Sequence, residues 1–136
     1  MDSCMQCNCA LAKTSYKYCS NKCQSDHNYK DYIASWKCGQ KDGMRGINTK
    51  NMSGHIIRYL GDKYNNSCAR CGWDRINSTT GNSPLEIDHM DGNSSNNSEN
   101  NLILLCPNCH SLTSNYKNLN KGNGRLWRRE KYAKIV

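Results

Sequence analysis

Two pairs of cysteines at Cys-x-x-Cys spacing restrict the fold of this chain more than any other feature of its sequence. The first pair is Cys68 and Cys71, and the second is Cys106 and Cys109. A Cys-x-x-Cys turn presents two thiolates from one tight loop, so two such turns supply the four soft ligands of a tetrahedral zinc site. The alternative is a pair of disulfides. We favour zinc because no apolar leader segment follows the N-terminus, and reduced cysteines at this spacing typically bind metal.

A second set of cysteines lies near the N-terminus, in a Cys-x-x-Cys turn followed by a Cys-x-x-x-Cys turn: Cys4, Cys7, Cys19 and Cys23. This pattern predicts a second structural zinc ion in the chain. Two alternatives remain open, since Cys9 could replace Cys7, and His27 could serve as a ligand if one cysteine were left out. Cys38 has no evident partner, and we expect a free or buried thiol there.

The composition explains why such metal sites are needed. Only 36% of the 136 residues are hydrophobic and there is no Phe, so the core is thin for the length of the chain. The formal charge is +8, and two zinc ions each held by four thiolates would lower it to about +4. The remaining surplus is concentrated in the last sixteen residues, which indicates a polyanionic partner such as nucleic acid.

Helical and linker patterns divide the chain into four segments. Residues 1–38 form an N-terminal zinc module whose helix runs from Asn21 toward Trp36, and residues 39–52 are rich in glycine and form a linker. Residues 53–120 form the second zinc-bearing domain, and residues 121–136 a basic tail. In that domain we expect Ser53 to cap a helix that ends near Tyr64.

The segment between the two later cysteine pairs has the pattern of a small α+β unit. Residues 85–88 and 102–105 are predicted strands, joined by a polar loop with the sequence DGNSSNNSENN. Pro107 is well suited to the first turn of a following helix, which we expect to reach Asn115 or Tyr116. The predicted order is therefore strand, loop, strand and helix.

Three residues at the ends of these elements have the chemistry of a hydrolytic site. Asp88 and His89 end the first strand, and His110 follows the last zinc cysteine directly. One carboxylate and one imidazole suit a divalent ion such as Mg²⁺ or Mn²⁺, and a second imidazole could take a proton from water near neutral pH. Two alternatives stay open: His110 as a spare zinc ligand beside Cys109, and His89 as a loop histidine without a role.

The segments LEIDHMDGN and NNLILLCPNCHSLTSNY together resemble the His-Asn-His (HNH) nucleases. The resemblance covers residues 68 to about 120 and includes the zinc cysteines, and it implies the treble-clef-like ββα-metal fold of that family. The N-terminal segment with YCSNKC is similar to the zinc module that precedes this nuclease in small phage-borne members.

The resemblance also implies a role for each matching residue. Asp88 and His110 would bind a catalytic Mg²⁺ or Mn²⁺, His89 would be the general base, and Asn101 would orient His89 by a hydrogen bond across the loop. Asn100 stands beside Asn101, and the spacing to His110 favours Asn101 as the motif residue. The family reaction is metal-assisted attack of water on phosphorus, which leaves a 5′-phosphate and a 3′-hydroxyl.

We therefore expect a DNA endonuclease acting on duplex DNA in the cytoplasm, the host cytoplasm if a phage encodes it, without a membrane segment. Basic residues after the catalytic helix are the expected DNA contacts: Lys117, Lys121, Arg125, Arg128 and Arg129. The rival functions are a non-catalytic zinc-finger DNA-binding regulator and an RNA-directed nuclease. Nicking or double-strand cleavage, monomer or homodimer, and a role in homing, restriction, packaging or repair all stay open.

Overall fold

The computed structural model describes residues 2–14, 16–45, 51–116 and 119. The chain divides into two compact units, Met1–Lys41 and Asp42–Val136. The boundary between the units lies inside the segment predicted as a linker. In the part of the chain that the structure describes, no helix combines the length and hydropathy that crossing a membrane requires.

The first unit consists of a cysteine-rich loop region and one long helix. An isolated bridge pairs Ser3 with Ala10 before helix α1 (Asn21–Lys37) begins. Ser20 caps this helix, because its hydroxyl accepts a hydrogen bond from the Cys23 N–H at 3.1 Å. Ile33 and Trp36 are the buried residues of α1, as their spacing of three residues indicates. The predicted helix is confirmed, with its end one residue beyond Trp36.

The first helix of the second unit buries a narrow stripe of apolar residues. Helix α2 (Gly54–Lys63) is capped by Ser53, whose hydroxyl accepts from the His55 N–H, so the predicted cap is confirmed. Ile56 and Leu60 are fully buried, one turn apart. Ile57 is 48% exposed, because it lies beside that stripe rather than in it.

A two-stranded antiparallel sheet and a short helix complete the second unit. Strand β1 (Glu86–His89) pairs with β2 (Leu102–Leu105) in a register that sets Glu86 opposite Leu105 and His89 opposite Leu102. β1 is shifted by one residue from the predicted 85–88, whereas β2 has the predicted bounds. A single 3₁₀ turn, Glu99–Asn101, leads into β2. The order of elements is the one that the sequence predicts.

Helix α3 (Pro107–Ser111) is shorter than the sequence suggests. The predicted end at Asn115 or Tyr116 is wrong. Side-chain hydroxyl groups donate hydrogen bonds to the backbone carbonyls that would accept from backbone N–H groups in a longer helix. The hydroxyl of Ser111 donates to the Asn108 carbonyl at 2.7 Å, and that of Thr113 donates to the His110 carbonyl at 2.9 Å. Residues 112–116 form turns and bends.

The core of the second unit lies where the sheet meets the cysteine turns. Leu105 is fully buried between Cys68 and Cys106, which are 3% and 4% exposed. Trp73 packs against this cluster from the side, as expected for a core tryptophan. The four-cysteine site is therefore part of the hydrophobic core, and it joins the sheet to α3.

Candidate active site and metal centres

The second cysteine group has the geometry of a zinc site. The sulfur atoms of Cys68, Cys71, Cys106 and Cys109 all lie within 4.8 Å of one another, and the Cys71 and Cys106 sulfurs are 3.7 Å apart. Zinc with tetrahedral bonds of about 2.3 Å separates its sulfur ligands by about 3.8 Å. These four residues could therefore hold a structural zinc ion.

Electrostatics at this group also favour a cation. Burial raises the pKa of Cys68, but hydrogen bonds from the backbone N–H groups of Cys106, Cys71 and Arg70 lower it by more. The net result is a pKa of about 6. The pKa of Cys109 rises to about 12, mainly because hydrogen bonds with the Cys106 and Cys71 side chains favour its protonated thiol, with burial adding to the effect. Cys68 is thus readily ionised to the thiolate, whereas Cys109 needs a nearby positive charge, such as a metal ion, before it ionises.

The first cysteine group is similar but has a fifth thiol beside it. The sulfurs of Cys4, Cys7, Cys19 and Cys23 also lie within 4.8 Å of one another, so this group could hold zinc as well. The Cys9 sulfur is only 3.2 Å from that of Cys7, but Cys9 is outside the mutually close set. His27 faces Asp31 at 3.2 Å and is not in the set either. Cys38 is an exposed free thiol.

The structure brings Asp88 and His110 together between β1 and α3. The Nε2 atom of His110 lies 3.5 Å from Oδ1 of Asp88, and the two side chains are 23% and 12% exposed. Two ligands at right angles on Mg²⁺, each at about 2.1 Å, would be about 3 Å apart. The two atoms are therefore close enough for adjacent positions around a small divalent ion, and the catalytic metal site itself stays a prediction.

Glu86 completes this arrangement on the other side of the imidazole. It lies two residues before Asp88 and so on the same face of β1, and its carboxylate accepts a hydrogen bond from Nδ1 of His110. A proton on Nδ1 leaves the lone pair of Nε2 directed at the Asp88 side. Sequence reasoning missed Glu86, although its spacing of two from Asp88 is a usable signal.

His89, the last residue of β1, is held by a different residue from the one predicted. Its Nε2 atom lies 2.7 Å from Oδ1 of Asn97, a side chain that is 5% exposed. The amide nitrogen of Asn97 faces two acceptors, the Asp42 carbonyl at 3.4 Å and the Met44 sulfur at 3.6 Å. The amide oxygen therefore points to His89, and Nε2 of His89 is the donor.

Asn101 stabilises the loop instead of contacting His89. Its amide donates to Oδ1 of Asp91 at 2.8 Å and to the Asn96 carbonyl at 2.9 Å, and its oxygen accepts from the Asp91 N–H. The predicted hydrogen bond between Asn101 and His89 is wrong. Asn101 is in the 3₁₀ turn just before β2, where its side chain meets the start of the loop, while Asn97 folds back onto the end of β1.

Asp91 is the acceptor at the centre of this loop. Burial opposes ionisation, but hydrogen bonds from the Asn96 side chain, the Asn93 N–H and the Asn101 side chain together lower the pKa of its carboxyl group. The polar segment DGNSSNNSENN, which on its own looks like a flexible linker, is therefore a hydrogen-bonded loop that fixes the end of β1.

A cavity of about 320 Å³ opens beside Asp88. Arg70 and Thr113 line it, and so does Asn115, whose amide donates to the Met90 carbonyl at 3.1 Å. Arg70 was not predicted as a site residue. Its position between two zinc cysteines was a signal, because a tight Cys-x-x-Cys turn fixes the direction of the residue within it.

The DNA contacts predicted from the tail lie outside the described residues. These are Lys117, Lys121, Arg125, Arg128 and Arg129.

Comparisons of the sequence with known proteins found matches to endonucleases. Residues 68–115 match the family model of the HNH endonucleases. The H-N-H endonuclease F-TflIV of Escherichia phage T5 is 56% identical over 39 residues, which are 29% of this chain and only 17% of the T5 protein. No solved structure matches the chain. The strand, loop, strand and helix around the second cysteine group, residues 68–115, are therefore an HNH endonuclease domain, as the sequence resemblance implied.

Proposed function

We propose that this chain is an endonuclease that hydrolyses phosphodiester bonds in DNA with the help of a divalent cation, Mg²⁺ or Mn²⁺. The observation that carries the proposal is the approach of His110 Nε2 to Asp88 Oδ1 at 3.5 Å, with His89 next to Asp88 on the same strand. The match of residues 68–115 to the HNH endonucleases supports it.

Asp88 and His110 are the residues that would hold the cation. Asp88 offers a carboxylate oxygen and His110 a neutral Nε2, which suit a small hard ion that keeps several water ligands. When bound, such an ion polarises the scissile phosphate and stabilises negative charge on the departing 3′ oxygen. Glu86 supports this role, because its hydrogen bond keeps the His110 proton on Nδ1 and away from the ligand position.

His89 would act as the general base in this reaction. Its Nε2–H is engaged by Asn97, so the lone pair for accepting a proton is on Nδ1. Removal of a proton from water at this atom, with attack of the resulting hydroxide on phosphorus, would break the bond between phosphorus and the 3′ oxygen. This would leave a 5′-phosphate, and a 3′-hydroxyl after the departing oxygen takes a proton from solvent. A positioned base of this kind typically contributes a factor of about 10²–10⁴ to the rate.

Arg70 is the described basic residue best suited to contact the substrate backbone near this site. It lines the same cavity as Asp88, and a guanidinium group can donate two parallel hydrogen bonds to one phosphate. The tail residues Lys117, Lys121, Arg125, Arg128 and Arg129 would extend this contact along duplex DNA, and the N-terminal zinc module would add to the affinity. Binding should weaken steeply with increasing salt concentration.

The test is a cleavage assay on supercoiled plasmid with Mg²⁺, with Mn²⁺, and without added divalent cation, using protein whose zinc content has been verified. We expect nicked or linear product only with the cation, and a rate at least about 100-fold lower for His89→Ala. His55→Ala is the matched control, because His55 is on α2 and has no place in the proposed site.

Two outcomes would contradict the proposal. Tight binding of DNA without cleavage under any cation would favour the non-catalytic zinc-finger regulator. Cleavage that is faster on a matched RNA substrate than on DNA would favour the RNA-directed nuclease.

A further inference from the structure

Residues 42–44 contact the polar loop, residues 91–101, that joins β1 to β2. We call residues 42–44 the strap. The Gly43 carbonyl accepts from the Ser53 N–H at 2.8 Å, and an isolated bridge pairs Met44 with Met52. These bonds hold the strap against the start of α2, within the second unit. Residues 42–44 were predicted to belong to the linker, yet they make specific contacts with the nuclease domain.

Gly43 shows how closely the strap packs. Its φ is +82°, and a Cβ atom built at this position would lie 2.6 Å from Cβ of Asn97 and 2.8 Å from Cδ1 of Ile56. Both distances are far below van der Waals contact, and Ile56 is fully buried and cannot move aside easily. Only glycine therefore allows the strap to approach Asn97 this closely.

The strap also determines which end of the Asn97 amide faces His89. The two groups near the amide nitrogen, the Asp42 carbonyl and the Met44 sulfur, are both acceptors. Rotating the amide by 180° would place its oxygen against these acceptors and its N–H₂ group against His89, so the observed orientation is the one with satisfied hydrogen bonds. Because Asn97 is 5% exposed, water cannot readily compensate for the wrong orientation.

We propose that the strap and Asn97 together position His89: the strap orients the Asn97 amide, and the amide oxygen holds His89 as the Nε2–H tautomer with its Nδ1 lone pair available. Asn97 is thus a positioning residue, and so, one step further away, is Gly43. This inference rests on the proposed role of His89 as general base, but the tautomer can be measured without any reaction.

The test is long-range ¹H–¹⁵N NMR of the histidine rings in zinc-loaded protein without other divalent cations, at about pH 8, where an ordinary histidine is neutral. We expect wild-type His89 to be the Nε2–H tautomer. Asn97→Ala should give a mixture of tautomers. Asn97→Asp should retain Nε2–H, because a carboxylate still accepts that hydrogen bond, but it should be less stable than wild type, because its second oxygen faces the acceptors of the strap. This rescue would not occur if Asn97 only filled space.

Gly43→Ala examines the strap itself, with Gly81→Ala as the matched control. Gly81 has a similar φ of +75°, but a Cβ atom there would meet nothing within 4 Å. Both variants therefore carry the same backbone strain, and only Gly43→Ala should disturb the His89 tautomer. In the cleavage assay we expect Gly43→Ala and Asn97→Ala to lower kcat by about 10-fold or more, with little change in KM.

The NMR and cleavage results would support or overturn the proposed positioning of His89 as follows. An unchanged Nε2–H tautomer in folded Asn97→Ala, or an equal effect of Gly43→Ala and Gly81→Ala, would overturn it. If Gly43→Ala does not fold, the contrast between Asn97→Ala and Asn97→Asp still decides whether Asn97 positions the ring. If the tautomers change as expected but wild-type protein cuts no DNA, the positioning holds and the proposed function fails.

Discussion

The two cysteine clusters have the same four-sulfur composition, and each begins with a buried and then an exposed cysteine, but the third cysteine is exposed in the first cluster and buried in the second. In the first cluster, Cys7 and Cys19 are exposed, and a fifth thiol, Cys9, lies 3.2 Å from Cys7. In the second cluster, Cys68 and Cys106 are buried against Leu105 in the core of the second unit. Two clusters with the same four cysteine ligands therefore stabilise different parts of the chain. The second cluster stabilises the core on which the candidate active site is built, whereas the first stabilises one helix and its loops.

The largest expected contrast between the clusters is in stability. Cys106→Ser should unfold the second unit, because structural zinc typically contributes about 10–16 kcal/mol to small domains and Cys106 is also the N-cap of α3. Cys19→Ser in the first cluster should release one zinc ion and leave the second unit folded. Thermal melting together with zinc analysis measures both effects. Equal melting of wild type and Cys106→Ser would refute the structural role of the second site.

An effect of intermediate size concerns binding of the divalent cation. Glu86→Gln keeps a side chain of the same size but makes the acceptor for His110 Nδ1 neutral, so we expect Mn²⁺ to bind about 10–100-fold more weakly. Electron paramagnetic resonance titration with Mn²⁺ measures this change, while the zinc content should stay constant. Asp31→Asn is the control, because the pair of His27 and Asp31 in the first unit is not part of any cysteine group. Unchanged Mn²⁺ affinity in Glu86→Gln would show that this carboxylate does not tune the site.

The smallest effect compares two helix caps of the same chemistry, one in each unit. Ser20 caps α1 and Ser53 caps α2, and each hydroxyl accepts a backbone N–H. Ser20→Ala and Ser53→Ala should each lower the free energy of unfolding of their own unit by about 1 kcal/mol. Denaturant unfolding followed by a probe in each unit measures this. A loss in both units from either substitution would mean that the units do not unfold separately.

The elements of this fold were predictable where a local pattern carries the information. Apolar residues three apart, Ile33 and Trp36, predicted α1, and the run Leu102–Leu105 predicted β2 with correct bounds. Ser53 and Pro107 predicted the starts of α2 and α3. The end of α3 was not predictable in this way, because it depends on hydroxyl groups that compete for carbonyls, and competition of that kind leaves no periodic signal.

The chemistry of the site was also readable from residue types and spacing, because a metal needs particular ligands wherever the chain places them. That reasoning predicted both cysteine groups, whose sulfur atoms the structure brings together, and the pair of Asp88 and His110, which lie 3.5 Å apart and whose metal-binding role stays a prediction. It could not identify Asn97 as the partner of His89 or Gly43 as the residue that lets the strap approach, since both depend on how a polar loop folds back. Asn97 is one of several asparagines in the segment DGNSSNNSENN, and only burial beside Ile56 and the strap distinguishes it from the others.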